Sequence, residues 1–317
     1  MMARLRSYTS EILITLALLA AVGYFAYLAW GLRTPAEETV ADVDFSGQMA
    51  LEQVASQLAF GHRITGSDSN RAMGDWMIQE LQGLGWEVIE QSYVVAGDVG
   101  ARNIIAVQGS GPAGVIGAHY DTRMVADEDP DPSLHTQPVP GANDGASGVA
   151  VLLELARTLN VAASGHTICL VFFDAEDNGR IPAWDWILGS TYFVANRSDV
   201  PACADPQFAV IVDMIGDADQ QVYVERNGTS GLSQALWSQA ASLGYGDTII
   251  NQPGYAMMDD HTPFLQAGIA AADMIDFDYP YWHTTGDTLD KVSGESLERI
   301  GRTVESWLEG GAIFSLP

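Results

Sequence analysis

The chain has 317 residues, with 14 lysines and arginines against 41 aspartates and glutamates, a net charge of -27. Charge of this sign repels a phosphate backbone and no basic stripe relieves it, which argues against a nucleic-acid partner. A 47% hydrophobic fraction excludes a disordered acidic chain and leaves ample material for a core.

The first element is apolar. Ile12 to Trp30 reads ILITLALLAAVGYFAYLAW, nineteen residues without a charge, a helix approaching the roughly 30 Å hydrocarbon core of a bilayer. Arg4 and Arg6 precede it, and Glu37 and Glu38 follow. This flank predicts a cytoplasmic tail over 1–11, a transmembrane signal anchor over 12–30 and a linker over 31–43. The remainder, 44–317, is then one extracytoplasmic domain. A cleaved signal peptide shares the same features and would give a secreted form. Residues 1–40 carry three arginines and three glutamates, so the whole charge deficit lies beyond them.

Helical spacing runs from Met49 to Phe60. Ser67 or Ser69 is placed to cap a second helix reaching Leu84. Strands are expected over Trp86–Val95, Ala101–Gln108 and Val115–His119. A helix over Gly148–Leu159, a strand over His166–Phe173, a helix after Gly189 and a strand over Phe208–Val212 follow. Gly231–Leu243 and Val292–Leu308 read as helices, with Ala270–Ile275 a late strand. Alternation of this kind predicts an α/β fold, a three-layer sandwich around a mostly parallel, mixed central sheet. Cys169 sits in the apolar run TICLVFF and reads as a buried thiol. Cys203 sits in the loop-like DVPACADP, and pairing of the two is not legible.

The informative residues follow the strands, where open α/β sheets place their sites. The segments are GAHYDTR (117–123), GANDGASG (141–148), FFDAEDNG (172–179), VDMIGD (212–217), DDHTPF (259–264) and YWHTTGDT (281–288). A lone aspartate after a strand is ordinarily a cap or turn residue. Here His119, Asp144, Glu176, Asp177, Asp213 and His283 arrive from successive elements. Such crowded carboxylates call for a cation to offset their repulsion, and imidazole with carboxylate suits zinc. Gly and Ala around Asp144 leave room for close approach to an ion. His62, His135 and His166 lack this pattern.

Together, over roughly residues 48–310, these segments resemble the zinc aminopeptidases classed as family twenty-eight of the metallopeptidases, and the animal-type and bacterial glutaminyl cyclases of the same zinc-exopeptidase fold. The HYD, NDG, acidic-pair, D-x-x-G and HT-x-x-DT elements occur in the family's order. For a two-zinc aminopeptidase, the resemblance implies Asp144 as bridging ligand, His119 and Asp213 completing one site, Asp177 and His283 the other. For a cyclase it implies one zinc on Asp144, Asp177 and His283. Asp121 would steady a ligand imidazole, Glu176 would be the general base, and Asp213 and Asp260 would support proton handling. Aspartate at 177, the Trp282–His283 pair, and Trp184 or Trp186 near ILGS resemble the cyclase pattern, with the tryptophans walling a substrate pocket. The leading expectation is a glutaminyl-peptide cyclotransferase acting on peptide or protein N-termini. A di-zinc aminopeptidase and a metal-free binding domain remain alternatives, and oligomeric state is open.

Overall fold

Runs of apolar residues in the middle of the chain form strands because alternate side chains serve two separate cores. The computed structural model describes residues 44–316; the tail, anchor and linker expected over 1–43 lie outside them. Among the described residues no helix is long and apolar enough to cross a membrane. Helices α1 (Gly47–Leu58) and α2 (Asp68–Gly83) come first. Each begins where a serine hydroxyl accepts a backbone N–H, Ser46 from Met49 and Ser67 from Asn70. Of the two expected caps, Ser67 is therefore the one used. Next come β1 (Glu87–Val95), β2 (Val99–Gly109), β3 (Ala113–His119), α3 (Ala146–Thr158), α4 (Val161–Ser164) and β4 (Thr167–Phe173). The chain continues through α5 (Leu188–Ala195), β5 (Pro206–Asp213), β6 (Val222–Val224), α6 (Ser230–Ser242), β7 (Ile249–Pro253), α7 (Thr262–Gln266), β8 (Ala270–Ile275) and α8 (Gly294–Glu309).

The main sheet has the order β1-β2-β4-β3-β5-β8. Strands β4, β3, β5 and β8 are parallel to one another, while β2 is antiparallel to both β1 and β4. Register aligns Ile116 with Leu170 and Val210, and Val115 with Cys169 and Ala209. The first row faces a core filled by α1, α2, α3, α6 and α8, including Val54, Met77, Leu152, Leu236 and Ile300. The second faces Phe193 of α5 and Phe264 of α7. This is the mixed, mostly parallel sandwich, with helices on both faces. A parallel two-stranded sheet, β6-β7, forms a separate ladder next to β8.

Glycines set how closely α3 approaches the strand ends. A Cβ at Gly148 would lie 2.4 Å from the Val212 carbonyl oxygen, and one at Gly145, where φ is +99°, 2.7 Å from that of Asp121. Their small size makes room for neighbouring backbone, a different reason from the close approach to an ion expected of this segment.

Cys169 is not a free thiol. It is bonded to Cys203, with Cα atoms 6.2 Å apart. The single-turn helix Pro201–Cys203 packs beneath β3 and β4, bringing a loop cysteine under the strand. Closing a loop with a sequence separation of 34 residues is worth about 3–4 kcal/mol in the chain-entropy account.

At the end of β8, the Asp276 carboxylate accepts the Gln221 N–H at 2.8 Å and the Asp278 N–H at 3.2 Å. Burial pushes its carboxyl up to about 7, with the charges of Asp217 and Asp278 adding to the rise against those two amides. A folded-state value above the unfolded one means its contribution to stability is complete below about pH 4 and is lost as pH rises through about 7. We predict that D276N flattens the fall of unfolding free energy between about pH 5 and 8, by about 2 kcal/mol across the window. Urea titrations at each pH measure it; parallel curves for the two proteins would contradict it.

Candidate metal centre

Four parallel strands deliver their C-terminal ends to one edge, and the candidate ligands sit there. His119 is the last residue of β3 and Asp213 the last of β5. Glu176 and Asp177 follow β4, Asp144 precedes α3, and His283 lies in the loop after β8. All six are at least nine-tenths buried. His119 Nε2 lies 3.1 Å from Asp144 Oδ1 and 3.1 Å from Asp213 Oδ1. His283 Nε2 lies 2.8 Å from Asp177 Oδ1 and 3.7 Å from Asp144 Oδ2. Two triads result, His119–Asp144–Asp213 and Asp144–Asp177–His283, each with its donor atoms inside a 4.8 Å sphere of mutual distance and sharing Asp144.

Long-range contacts hold the loops that carry these donors. Asp121 accepts the backbone N–H groups of Glu176 at 3.0 Å and Asp177 at 3.3 Å, and the amide of Asn178 at 3.3 Å. It also lies 3.6 Å from His119 Nδ1. Expected to steady an imidazole, Asp121 thus fixes the acidic-pair loop as well. Asp287 accepts the N–H groups of Asn143 at 2.8 Å and Asp144 at 3.1 Å, and the Tyr279 hydroxyl at 2.6 Å. Arg63, fully buried, donates to the carbonyls of Pro140 at 2.8 Å and Gly141 at 2.5 Å. Arg123 pairs with Asp127 and donates to the carbonyls of Asp177 and Gly179. Asp174 is a hub that receives Thr65, Asn70, Tyr120 and the Arg102 N–H. Strain accumulates beside the donors, since Ala175, Met214 and His283 all have positive φ.

The charges fit a divalent cation. Burial raises Asp177 to about 6 and Asp213 to about 7. Burial alone would raise Asp144 too, but the His119 hydrogen bond and the charges of His119, His283 and Arg123 outweigh it and leave it lowered. For His119 burial acts downward, yet Asp213, Asp121 and Asp144 hold it well above its ordinary value. Asp177 Oδ2 is buried without a hydrogen-bond donor. Carboxylates so crowded and so desolvated are compensated best by a metal ion, and a set of nitrogen and oxygen donors without sulfur suits zinc.

The triads open on a cleft of about 260 Å³. Glu176, Asp213, Trp186 and Trp282 line it, with Asp259, Met257, Met258 and Phe277. Trp282 stacks on the His283 ring at 3.8 Å and Trp186 at 5.8 Å. Two expected residues fall elsewhere. Trp184 is not among the cleft residues and packs against the buried cluster of Tyr93, Ala101 and Ala175. Asp260 is fully buried behind the wall, and its neighbour Asp259 faces the cleft instead. Behind Asp259, His261 lies 3.2 Å from Glu225 and 3.6 Å from Asp273, none exposed beyond 4%. Arg63 and Asp174 escaped the sequence reading because their partners are distant in the chain, and Arg123 and Asp259 because nothing in their short motifs showed that they face the site. The pairing of Asp259 with the singled-out Asp260 was the one available signal.

Comparisons with known proteins agree with this geometry. The model of Peptidase family M28 matches residues 103–308. Aminopeptidase YwaD of Bacillus subtilis is 32% identical over 178 residues, which span 52% of this chain and 36% of YwaD, so this chain matches about a third of that relative. A glutaminyl-peptide cyclotransferase-like protein of Mus musculus is 25% identical over 78% of this chain and 71% of its own length. The crystal structure of Tannerella forsythia glutaminyl cyclase superposes with a TM-score of 0.78 at 31% identity, over 84% of this chain and 99% of that one. With the strand-end ligand sets in place and the family model covering most of the sheet, the chain belongs to peptidase family M28.

Proposed function

We propose that the chain is a zinc-dependent glutaminyl-peptide cyclotransferase, converting N-terminal glutamine of peptides or proteins to pyroglutamate with release of ammonia. The observation that carries this reading is Glu176 in a cleft walled by Trp186 and Trp282, beside the Asp144–Asp177–His283 triad. Those three residues would hold the zinc, which when bound polarises the side-chain amide carbonyl of the substrate. The indole faces enclose the flat amide and exclude water. Glu176 takes a proton from the α-amine as its nitrogen bonds to the amide carbon, then gives that proton to the departing nitrogen, which leaves as ammonia. Asp213 and Asp259, both facing the cleft, orient the amine and the leaving group by hydrogen bonds; Asp260 acts behind Asp259.

The likeness to glutaminyl cyclases supports the reading, with the T. forsythia structure matched along nearly its whole length. One observation favours a second reading. His119–Asp144–Asp213 is also complete, as a di-zinc aminopeptidase requires. Residues 44–317 form the catalytic unit in this proposal, held outside the cell by an anchor over 12–30. The Cys169–Cys203 bridge supports an oxidising compartment.

A paired assay separates the two activities. The zinc-loaded protein is expected to release ammonia from a Gln-initiated peptide, with pyroglutamate formed and no residue removed, and to leave an alanyl amide intact. Free amino acid from the alanyl amide, with two zinc ions bound per chain, would reverse the assignment.

A further inference from the structure

We propose that Arg180 selects substrates carrying a carboxylate just beyond the N-terminal residue, as an acidic second side chain or as the free C-terminus of a dipeptide. The inference rests on the cyclase reading only for the identity of the first residue. Arg180 is exposed and lines the cleft, where it is the one guanidinium or ammonium group among the lining residues. Asp144, Glu176, Asp177, Asp213 and Asp259 line the same cleft deeper in. Arg123 close by is occupied by Asp127 and the loop carbonyls, whereas Arg180 has no carboxylate partner among the described residues. In a chain with 41 acidic residues against 14 basic ones, Arg180 puts a positive charge on a cleft whose charge otherwise comes from carboxylates.

The backbone adds a second argument. The loop between β4 and α5 has positive φ at Ala175, Arg180, Ala183 and Ile187. At Gly179 a Cβ would lie 2.1 Å from the Trp186 ring, so the segment is pressed under that indole just before Arg180. Left-handed backbone at φ +62° suits glycine or asparagine better than arginine. Arginine in that conformation is seated on the cleft lining at a conformational cost, as functional positions are. The same cleft is also lined by Met257, Met258 and Phe277, which carry no charge. A peptide whose first residue lies beside Glu176 must pass its second residue along this lining. There the guanidinium fork matches a carboxylate with two parallel hydrogen bonds. Zinc ligands deeper in the cleft want the amide end, so Arg180 sorts substrates without touching the reacting atoms.

R180N tests this, because asparagine tolerates the left-handed backbone. Four peptides are compared on the full chain loaded with zinc: Gln-Glu-NH2 and Gln-Ala with a free C-terminus, against Gln-Gln-NH2 and Gln-Ala-NH2. The expected result is a fall in kcat/KM for the carboxylate peptides about tenfold larger than for their neutral isosteres, carried by KM rather than kcat. R180K restores part of it through the charge alone, and about 0.5 M salt shrinks the wild-type discrimination. Comparing the two carboxylate arms shows which source is read. Calorimetric binding of the same peptides to E176Q, with and without R180N, gives the ratio without turnover. Wild type that fails to cyclise Gln-Gln-NH2 while this binding ratio still shifts removes the cyclase reading and keeps Arg180 as the selector. An equal fall for all four peptides, or no change in any ratio, overturns the proposal.

Discussion

Replacing Glu176 with glutamine is expected to lower kcat about a thousandfold, within the range that positioned proton transfer contributes, while zinc content stays at the wild-type level. Glutamine keeps the shape of the side chain and removes its proton affinity. Glu176 belongs to neither ligand triad, so the metal donors are untouched. Burial pushes its carboxyl well above the ordinary carboxylate range; His119 opposes this, and Asp177, Asp259 and Asp260 reinforce it. A group that must both take and return a proton works best when it is more basic than an exposed carboxylate. Because the substitution also removes a buried ionisable group, the melting temperature should match or exceed that of wild type. Single-turnover kinetics with zinc counted by mass spectrometry measure the effect. Turnover within about tenfold of wild type would remove Glu176 from the proton-transfer role.

The second large effect is on the scaffold. Asp287→Ala strips the acceptor from the N–H groups of Asn143 and Asp144 and from the Tyr279 hydroxyl in one step. Asp287 is fully buried, so water does not replace it. Each stranded donor costs about 1–3 kcal/mol. Burial, and after it Asp144, raise Asp287 to about 7, and losing that repulsion offsets part of the damage. A net loss of about 3 kcal/mol remains, or about 5 °C in melting temperature for a domain of this size. Because the segment it holds carries the shared ligand Asp144, zinc affinity should fall about 10–100-fold. Differential scanning calorimetry and a competitive zinc titration test both halves. A protein that melts within about 2 °C of wild type and binds zinc equally would show that the Asn143–Asp144 segment holds its shape unaided.

Much of the fold was legible because the central strands meet an apolar environment on both faces. The run expected over His166–Phe173 forms β4, one residue shorter, since every one of its seven residues is buried. Sheet order was not legible, as β2 enters antiparallel between β1 and β4 and no local pattern encodes a neighbour. Nor was the β6-β7 pair, whose three-residue Val222–Val224 strand is too short to display a period. At the site, His119, Asp144, Glu176, Asp177, Asp213 and His283 stood out because each follows or precedes a recognisable element. Phase within a turn is different. Asp259 and Asp260 are chain neighbours with opposite fates, and so are the closely spaced Trp184 and Trp186. Backbone geometry, which composition does not specify, decides which of each pair faces the cleft. The cysteine pairing was hidden for the same reason.

The reach of Asp174 has a consequence for where this enzyme unit begins. The family model starts at residue 103, yet Thr65 and Asn70 hydrogen-bond to Asp174, and Arg63 grips the turn before Asp144. A fragment trimmed to residues 103–308 would keep every ligand and lose the struts that aim them. The edge of the family model is therefore a poor guide to the smallest portable piece. Residues 44–102 act as a brace, since Arg63, Thr65 and Asn70 hold the segments that carry the ligands.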